Sequence, residues 1–470
     1  TAENEHHELA RENRDIQAVD AFLKDTVLPK IQQTGEEMET IVRGLSGNHI
    51  PPGGSGTPTR GQVDVLPSGR NFYSVDPYKV PSPGAWRIGK NLARDLVARH
   101  REETGSAPDT MGMVLWASPT MRNQGEDVAE ALYLMGMEPV WNEASGRVED
   151  LKVIPLKAMD FPRVDITFRT SGLFRDTFPN LCELLDKAAC IVAALDEPIE
   201  SNMLRKNVVA EVEDFEKMGL DPKEAFRKAT FRVFSDMPGA YGAGVDKSID
   251  AKMWETSNDL GETYVEWGGY AYGRKTYGDD MRETFRGRLK KIGLVVQNVD
   301  SREHDILACV DYNAYMGGFT AAVKMASGVQ PVTISGDGSD PERIKSRTIA
   351  EEAKHVFRSR ILNPKWIEGL KRHGYKGAGD LSRTIDISFH WDATTEIIDD
   401  WMYERLADRY AFDADMREWF KDVNPYALQN ITERLLEAIS RGMWDTDQET
   451  KDKLEEIYLE IEGEIEEVTA

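Results

Sequence analysis

The chain has 470 residues, enough for two or three domains, and its 40% hydrophobic and 30% charged residues are typical of a soluble globular protein. Its net charge of −24 repels phosphate backbones and anionic membranes, which argues against nucleic acid and favours divalent cations or basic partners. No apolar run is long enough to predict a membrane span, and the polar first residues argue against a secretory signal.

The amino-terminal region, residues 1–105, is predicted to hold a helix, a loop and a second helix. Apolar residues recur on one helical face across 15–31. The glycine- and proline-rich stretch over 50–61 predicts an ordered loop without regular structure. Ser82 followed by Pro83 is typical of a helix start.

The middle region, residues 106–341, alternates short apolar runs with helical patterns. This alternation predicts an α/β fold in which helices flank a parallel or mixed sheet. The run over 111–118 is typical of a buried parallel strand, and the run over 180–195 predicts a long helix. Further strands are predicted over 138–142, 151–156, 164–170, 291–299 and 329–335.

The carboxyl-terminal region, residues 342–470, is predicted to be mostly helical. Apolar stripes at helical spacing occupy 349–361, 393–410 and 425–440. The acidic tail over 451–468 carries apolar residues at heptad-like spacing. We interpret this tail as a helix that packs on its own core, with docking onto a partner subunit as the alternative.

The chain has three cysteines, Cys182, Cys190 and Cys309. They are too scattered for a disulfide framework or a metal-binding knuckle, so we expect a reducing, cytoplasmic compartment. Cys182 and Cys190 share one apolar helical run and are predicted core residues.

The sequence lacks the motifs of several enzyme classes. It contains neither the phosphate-loop pattern GxxxxGK[ST] nor GxGxxG after a strand, so the chain itself is not expected to hydrolyse ATP. It also lacks a GxSxG nucleophile turn and an HExxH zinc site. A nucleotide-sugar transferase would require a nucleotide-binding loop that the sequence does not supply.

Two groups of residues have ligand types suited to metal binding or acid–base chemistry. Glu303, His304 and Asp305 follow a predicted strand, and consecutive loop positions can converge on one ion, although a solvated turn explains the same pattern. Glu351, Glu352 and His355 lie one helical turn apart, where surface pairing is the better explanation.

Five arginines fall at strand ends or in loops that contain glycine or proline, the positions where α/β proteins build ligand sites. Arginine suits carboxylates because its planar fork donates two parallel hydrogen bonds. A surface ion pair explains each arginine singly, but together they predict a pocket for an anionic ligand. The five are Arg60, Arg70, Arg122, Arg169 and Arg175.

Several loop sequences occur in order over about residues 40–444. The longest, the signature loop over 51–77, reads PPGGSGTPTRGQVDVLPSGRNFYSVDP. The others include MRNQGEDVAEAL (121–132), RVDITFRTSGLFRDTFP (163–179), SREHDIL (301–307), DYNAYMGG (311–318), LNPKWIEGLKRHGYKGA (362–378) and WDATTEIIDDWMYE (391–404). Taken together they resemble the large subunit of cobaltochelatase, in the cobaltochelatase and magnesium chelatase large-subunit family.

The resemblance implies the carboxyl-terminal portion of a subunit that holds a tetrapyrrole during insertion of a divalent metal, with ATP hydrolysed by separate AAA-type subunits. Insertion needs a base for two ring protons, ligands for the metal and cations for the peripheral carboxylates of the ring. His304, with Glu303 or Asp305, is assigned the first two tasks, and Asp311 is a further metal ligand. The five arginines, with Asn71 and Tyr73, are assigned to the ring.

Two features favour the cobalt branch, in which Co²⁺ enters the corrin precursor hydrogenobyrinic acid a,c-diamide during cobalamin biosynthesis. Residues 72–75 stand where magnesium-type subunits carry a histidine-containing stretch, and Asp392 is an aspartate that those subunits tend to lack. The alternatives are Mg²⁺ insertion into protoporphyrin IX, and a non-catalytic tetrapyrrole-binding or scaffold protein.

The chain also departs from the family pattern. The family's acidic run after Glu-His-Asp is reduced to Asp311, and its upstream motif with histidine and glutamate has no match here. We expect the signature loop and residues 301–318 to face a shared cleft.

Overall fold

An eight-stranded mixed sheet runs through the middle of the molecule in the computed structural model, which describes residues 14–54, 56, 58, 62–73, 75–302 and 304–469. Among these residues, no helix is both long and apolar enough to cross a membrane. The strands are β1 (Pro52–Gly54), β2 (Asn71–Tyr73), β3 (Thr110–Leu115), β4 (Met137–Trp141), β5 (Val148–Val153), β6 (Asp165–Thr170), β7 (Val233–Ser235), β8 (Tyr270–Gly273), β9 (Thr276–Asp280), β10 (Leu294–Val296), β11 (Val332–Asp337) and β12 (Lys345–Thr348).

Helices cover both faces of the sheet and form most of the carboxyl-terminal region. The α-helices are Arg14–Phe22, Leu28–Gln33, Glu37–Leu45, Pro83–Thr104, Ala117–Asn123, Glu126–Leu134, Gly172–Thr177, Pro179–Ala194, Met203–Lys217, Pro222–Thr230, Val245–Asp250, Ser257–Gly268, Arg282–Leu289, Val310–Tyr312, Gly318–Ser327, Ile349–Val356, Pro364–Lys371, Gly374–Thr395, Asp400–Leu406, Ala414–Val423, Pro425–Ser440 and Gln448–Thr469. Wider π-helical turns occupy Leu23–Val27, Asn313–Gly317, Phe357–Ile361 and Ala407–Phe412.

The strand order of the large sheet is β12-β11-β10-β3-β6-β7-β8-β9. The five strands from β11 to β7 are parallel, and antiparallel strands flank them on both sides. From β3 the chain proceeds to β6 on one side, whereas from β10 it proceeds to β11 on the other side. The order therefore reverses between β3 and β10, and ligands of open α/β sheets bind at such a switch point, beyond the carboxyl ends of the strands.

Alternate residues of each central strand face two different hydrophobic cores, as the two-residue repeat of a strand requires. In β3, Met111 and Met113 face the core formed with helices such as Pro83–Thr104, while Val114 faces the core formed with the carboxyl-terminal helices. Gly112 lies between them because a Cβ there would be 2.4 Å from the Phe319 ring. This close approach lets the helix Gly318–Ser327, which carries Phe319, pack directly on β3.

The α/β fold class is confirmed, with differences in the sheet. The predicted strands over 138–142 and 151–156 form a separate antiparallel pair, β4 and β5. The prediction also omitted β7, β8 and β9, and it placed no strand beyond residue 342, where β12 pairs with β11. The three-region division stays a prediction.

The acidic tail is a helix packed on its own core, as predicted. Leu454, Ile457 and Ile461 are buried in the larger core. Lys421 adds ion pairs to Glu460 at 2.5 Å and to Glu464 at 2.7 Å. The apolar face of this helix is therefore used within the chain.

The amino-terminal arm, residues 14–45, is built differently. None of the side chains described in its helices is buried. It meets the rest of the chain through contacts such as Lys30 Nζ to the Val63 carbonyl at 3.4 Å and Ser68 Oγ to Glu37 at 3.3 Å. Its exposed large apolar residues are Val19, Phe22, Leu23, Leu28, Ile31, Met38, Ile41, Val42 and Leu45.

Candidate functional site

A cleft of about 620 Å³ opens at the switch point of the sheet. Its walls come from the segments that follow β3, β6, β7 and β10, so it lies at the carboxyl ends of the strands. We call it the carboxyl-edge cleft. Its lining residues are Trp116, Ala117, Ser118, Pro119, Arg122, Ser171, Gly172, Leu173, Tyr241, Gly242, Asp246, Lys247, His304, Cys309, Asp311, Tyr312 and Tyr315.

Arg122 joins the two strands of the switch point. It follows β3, and its Nε and Nη2 donate to the two carboxylate oxygens of Asp300, after β10, at 2.7 Å each. The Arg122 side chain keeps 34% of its surface exposed, whereas that of Asp300 keeps 6%. The pair fixes the relative position of the two loops while leaving part of the guanidinium open to the cleft.

The loop after β10 brings three polar side chains to the cleft. His304 is exposed, and Cys309 Sγ donates a hydrogen bond to Asp311 Oδ2 at 3.7 Å. Desolvation at the cleft wall, with the nearby Asp246 carboxylate, raises the pKa of Asp311. Desolvation also raises the pKa of the Cys309 thiol.

Asp305 holds that loop in place and does not line the cleft. Both of its carboxylate oxygens accept hydrogen bonds from Arg360 at 2.7 Å, and Oδ1 also accepts from the Leu307 amide at 2.9 Å. Trp391 Nε1 donates to the Ile306 carbonyl at 2.8 Å. The Asp305 carboxylate is thus occupied by protein donors, and its assignment as base and metal ligand stays a prediction.

Three aromatic rings form one wall. The Trp116 and Tyr312 ring centroids are 4.7 Å apart, and Tyr315 meets Trp116 edge-on at 5.8 Å. The π-helical turn that begins at Asn313 widens the helix here, and Asn313 Nδ2 anchors it to the His390 carbonyl at 3.0 Å. Burial raises the pKa of both tyrosines, so the wall stays uncharged.

Arg169 and Arg175 lie behind the cleft, within the protein. Arg169 is fully buried, pairs with Asp236 and sits over the rings of Tyr264 and Tyr315. Arg175 is 1% exposed and donates to both oxygens of Asp176 at 2.7 and 2.8 Å. Both guanidinium groups donate to protein acceptors and neither lines the cleft, so they support the cleft wall, and direct contact with a ring stays a prediction.

The described part of the signature loop lies mainly beside the cleft. None of its described residues lines the cleft, although Gln62 Nε2 donates to the Arg122 carbonyl at 3.4 Å. Arg70 is exposed and borders a separate pocket of about 330 Å³. Asn71 is exposed at the start of β2.

Three other assigned residues lie wholly or partly outside the part of the chain that the structure describes. Arg60 and Glu303 lie outside the described residues, and so does the side chain of Tyr73. The structure therefore places His304, Asp311 and Arg122 together at one cleft, while Asp305, Arg169 and Arg175 stand behind it.

The structure also reveals groups that the sequence argument missed. Trp116, directly after β3, could have been found from the rule for strand ends. Asp246 and Lys247 lie in the first turn of the helix Val245–Asp250, whose path no local pattern predicted. Elsewhere, Asp250, Asp386 and His390 have donor atoms within 4.8 Å of one another, but Arg434 already bonds both carboxylates at 2.9 and 2.5 Å.

In the second candidate metal group, Glu351, Glu352 and His355, the two glutamates make structural contacts. Glu351 accepts a hydrogen bond from the Thr348 amide at 3.0 Å in a helix cap. Glu352 is buried and pairs with Arg302 at 2.5 Å and Arg347 at 3.0 Å. These contacts agree with the preference for pairing over metal binding.

A cleft at the switch point of a mixed α/β sheet is the place where proteins of this architecture bind ligands. A family model described as CobN/Magnesium Chelatase matches residues 1–451, and the chain belongs to this family. It is 46% identical over 430 residues to the aerobic cobaltochelatase subunit CobN of Pseudomonas aeruginosa, covering 92% of this chain and 34% of the relative.

Two further comparisons define the family relationship. The chain is 36% identical over 442 residues to a magnesium-chelatase subunit of Chlorobaculum parvum, covering 94% of this chain and 34% of the relative. The solved catalytic subunit of cobaltochelatase from Mycobacterium tuberculosis superposes with a TM-score of 0.89 at 43% identity, over 96% of this chain and 38% of that one. The chain thus spans about a third of the length of these relatives.

Proposed function

We propose that this chain is the carboxyl-terminal part of the tetrapyrrole-binding large subunit of an ATP-dependent cobaltochelatase. In this proposal the complete subunit inserts Co²⁺ into hydrogenobyrinic acid a,c-diamide, and separate AAA-type subunits hydrolyse the ATP. The observation that carries the proposal is the 46% identity to a cobaltochelatase subunit over 92% of the chain.

The carboxyl-edge cleft has the chemistry that a flat, acidic macrocycle requires. Trp116, which is partly exposed and backed by the buried Tyr312 ring, offers apolar ring surface for stacking. Arg122 and Lys247 bring positive charge to the lining, suited to peripheral carboxylates. These groups lie at the switch point, where α/β proteins bind ligands.

His304 is our candidate for the base that accepts a ring proton, because it lies in the same cleft and is exposed. Glu303, the neighbouring candidate, lies outside the described residues. Asp305, Arg169 and Arg175 are proposed to act by holding the cleft walls, as their contacts with Arg360, Asp236 and Asp176 support.

Magnesium insertion into protoporphyrin IX is the second candidate, and the 36% identity to a magnesium-chelatase subunit supports it. The lower identity places it behind the cobalt proposal. A non-catalytic tetrapyrrole-binding role is the third candidate, because the chain spans about a third of its relatives.

Titration of the chain with each macrocycle, followed by the absorption band of the ring, tests the substrate. We expect hydrogenobyrinic acid a,c-diamide to bind at least tenfold more tightly than protoporphyrin IX. Trp116→Ala should weaken binding by about fivefold, because one stacked ring contributes about 1 kcal/mol. Trp419→Ala, also partly buried against the same core, is the matched control and should change nothing. Tighter binding of protoporphyrin would favour magnesium insertion, and no binding of either ring would show that this chain does not hold the macrocycle by itself.

Metal insertion by the complete subunit with its ATPase partners tests the base. His304→Ala should lower the insertion rate by about a hundredfold, the usual contribution of a general base. His355→Ala removes an exposed histidine outside the cleft and should leave the rate unchanged. An unchanged rate in His304→Ala would remove His304 from the mechanism.

A further inference from the structure

Tyr241 presents an exposed aromatic ring at the carboxyl-edge cleft. Its side chain is 57% exposed and lines the cleft together with Leu173, which is 49% exposed. The tryptophan and the two other tyrosines that line the cleft are partly or fully buried. Exposed apolar side chains that lie together in a cleft commonly mark a surface that a ligand covers.

The Tyr241 ring is held in one position although it is open to solvent. Its hydroxyl donates a hydrogen bond to Asp176 Oδ2 at 2.8 Å. The guanidinium carbon of Arg175 lies 5.5 Å from the centroid of the ring, within the range of a cation–π interaction. On another side the ring lies against Gly172, where a Cβ would be 2.7 Å from Cδ1 of Tyr241. Three different contacts therefore fix the ring.

Arg175 organises two of the supports of this tyrosine. Its Nε and Nη2 donate to the Asp176 carboxylate at 2.7 and 2.8 Å, and so fix the acceptor of the tyrosine hydroxyl. Its Nη1 donates to the carbonyls of Met237 and Ala240 at 3.0 and 3.4 Å. One buried arginine thus holds both the partner of the ring and the backbone that carries the ring.

The backbone turns sharply on both sides of Tyr241. Gly239 and Gly242 have φ angles of 81° and 108°, which residues with a side chain rarely adopt. A Cβ at either position would have no atom within 4 Å, so the backbone conformation, and not a lack of space, requires glycine there. These turns project Tyr241 out of the loop between β7 and the helix Val245–Asp250.

A fixed aromatic ring is suited to a flat ligand. A side chain that is already held in place loses little conformational freedom when a ligand binds. The hydrogen bond to the Asp176 carboxylate raises the pKa of the Tyr241 phenol, so the ring is uncharged at neutral pH. Trp116 follows β3 and Tyr241 follows β7, with β6 between these strands in the sheet. The two rings therefore stand on separate walls, and one flat ligand can contact both.

We propose that Tyr241 contacts the flat face of the tetrapyrrole bound in the carboxyl-edge cleft, and that Arg175 is a positioning residue that acts through Tyr241. The identity of this ligand rests on the proposed function. Leu173 extends the apolar surface beside the ring. Arg175 then contributes to macrocycle binding without touching the peripheral carboxylates.

The test is a titration of the complete subunit with hydrogenobyrinic acid a,c-diamide, followed by the absorption band of the macrocycle. Tyr241→Ala should weaken binding about fivefold, the usual effect of losing one aromatic contact. Tyr241→Phe keeps the ring and should stay within about twofold of the unaltered subunit. Tyr426→Ala removes a tyrosine that is 51% exposed and does not line the cleft, so it should leave the affinity unchanged.

A double-mutant cycle tests the role of Arg175. Arg175→Lys keeps the positive charge but cannot donate to Asp176 and to the loop carbonyls at once. It should weaken macrocycle binding about threefold in the subunit that has Tyr241 and by less than about 1.5-fold in Tyr241→Ala, because residues that act through one another are not additive. A purely structural role of Arg175 would give the same loss in both backgrounds.

The possible failures are distinguishable. Unchanged affinity in Tyr241→Ala would overturn this inference and leave the proposed function standing. Equal losses from Arg175→Lys with and without Tyr241 would overturn the positioning role. A complete, unaltered subunit that binds no macrocycle would contradict the proposed function and this inference together.

Discussion

The two edges of the central sheet use charge in opposite ways. At the amino edge, Asp165 of β6 bonds Arg232 Nε at 2.5 Å and lies 3.5 Å from Arg288, which pairs with Glu211 at 2.9 Å. At the carboxyl edge, Asp246 and Asp311 line an open cleft without a salt bridge among the described residues. The side chains of Asp165 and Arg232 are fully buried, whereas Asp311 is exposed.

This contrast separates charges that hold the fold from charges available to a ligand. Burial favours the neutral acid, yet Arg232 and Arg288 outweigh it and hold the pKa of Asp165 below its usual range. A buried ion becomes costly as soon as its partner is lost. The stability of the fold does not depend in this way on an exposed carboxylate without a salt bridge. Replacing such a carboxylate is expected to change the affinity of a ligand that binds there.

The largest expected effect is at the amino edge. Asp165→Asn leaves Arg232 and Arg288 without this counter-charge and should lower the free energy of unfolding by about 3–5 kcal/mol. Urea unfolding at neutral pH measures the loss. Asp214→Asn, an exposed carboxylate paired with Lys217, is the control and should change stability by less than about 0.5 kcal/mol. Equal losses of stability in the two variants would show that the buried ion pairs of the amino edge stabilise the fold no more than a surface pair does.

A buried carboxylate without a cation should show a pH dependence instead. Asp392 accepts hydrogen bonds from Tyr403 at 2.9 Å and from the Ile398 amide at 3.2 Å, and burial raises its pKa to about 7. A raised native pKa means that stability is greatest at low pH and falls as pH rises from about 4 through 7.

Asp392→Asn should remove this dependence. Between pH 5 and pH 8 the unaltered chain should lose about 2–3 kcal/mol of stability through Asp392, and the variant should lack that loss. Unfolding curves across this range measure it. Identical pH profiles for the two proteins would show that the Asp392 carboxyl ionises normally.

The Arg122–Asp300 pair is intermediate between the buried ion pairs of the amino edge and the exposed carboxylates of the cleft, since only Asp300 is buried. Arg122→Met leaves that carboxylate without its bidentate partner and should cost about 2 kcal/mol. Arg122→Lys keeps a point charge and should cost about half as much. Thermal unfolding measures the stability of both variants. If Arg122→Met lost as much stability as Asp165→Asn, the Arg122–Asp300 pair would hold the fold as strongly as the buried pairs of the amino edge.

The smallest effect on stability is expected in the cleft itself. Asp246→Asn and Asp311→Asn should each change the free energy of unfolding by less than about 0.5 kcal/mol, because neither carboxylate has a salt bridge to another described residue. Urea unfolding in the absence of added metal is the measurement. A loss above about 2 kcal/mol would show that these residues hold the fold.

The sequence predicted the parts of the fold that local patterns encode. The apolar runs over 111–118 and 180–195 appear close to the expected positions, as β3 (Thr110–Leu115) and the helix Pro179–Ala194. β9 and β12 are short and polar, with the sequences TYGDD and KSRT, so no apolar repeat marks them. The β4–β5 pair resembled sheet strands because local sequence does not specify which strand is the partner.

The site was predictable to the extent that it depends on strand ends. Arg122, His304 and Asp311 follow strands and line the cleft, as that rule implies. Arg169 also lies at a strand end, but its side chain turns inward to Asp236, a direction that depends on tertiary packing. Asp246 was missed because its helix is only six residues long and reaches the cleft through a non-repetitive loop.

The uncovered arm over residues 14–45 has a consequence for work with this chain in solution. Nine large apolar side chains face water along its helices. We expect such a surface to favour self-association that grows with protein concentration and with excluded salts such as sulfate. Light scattering should therefore accompany each titration, and affinities should be compared only at concentrations where the particle size is constant.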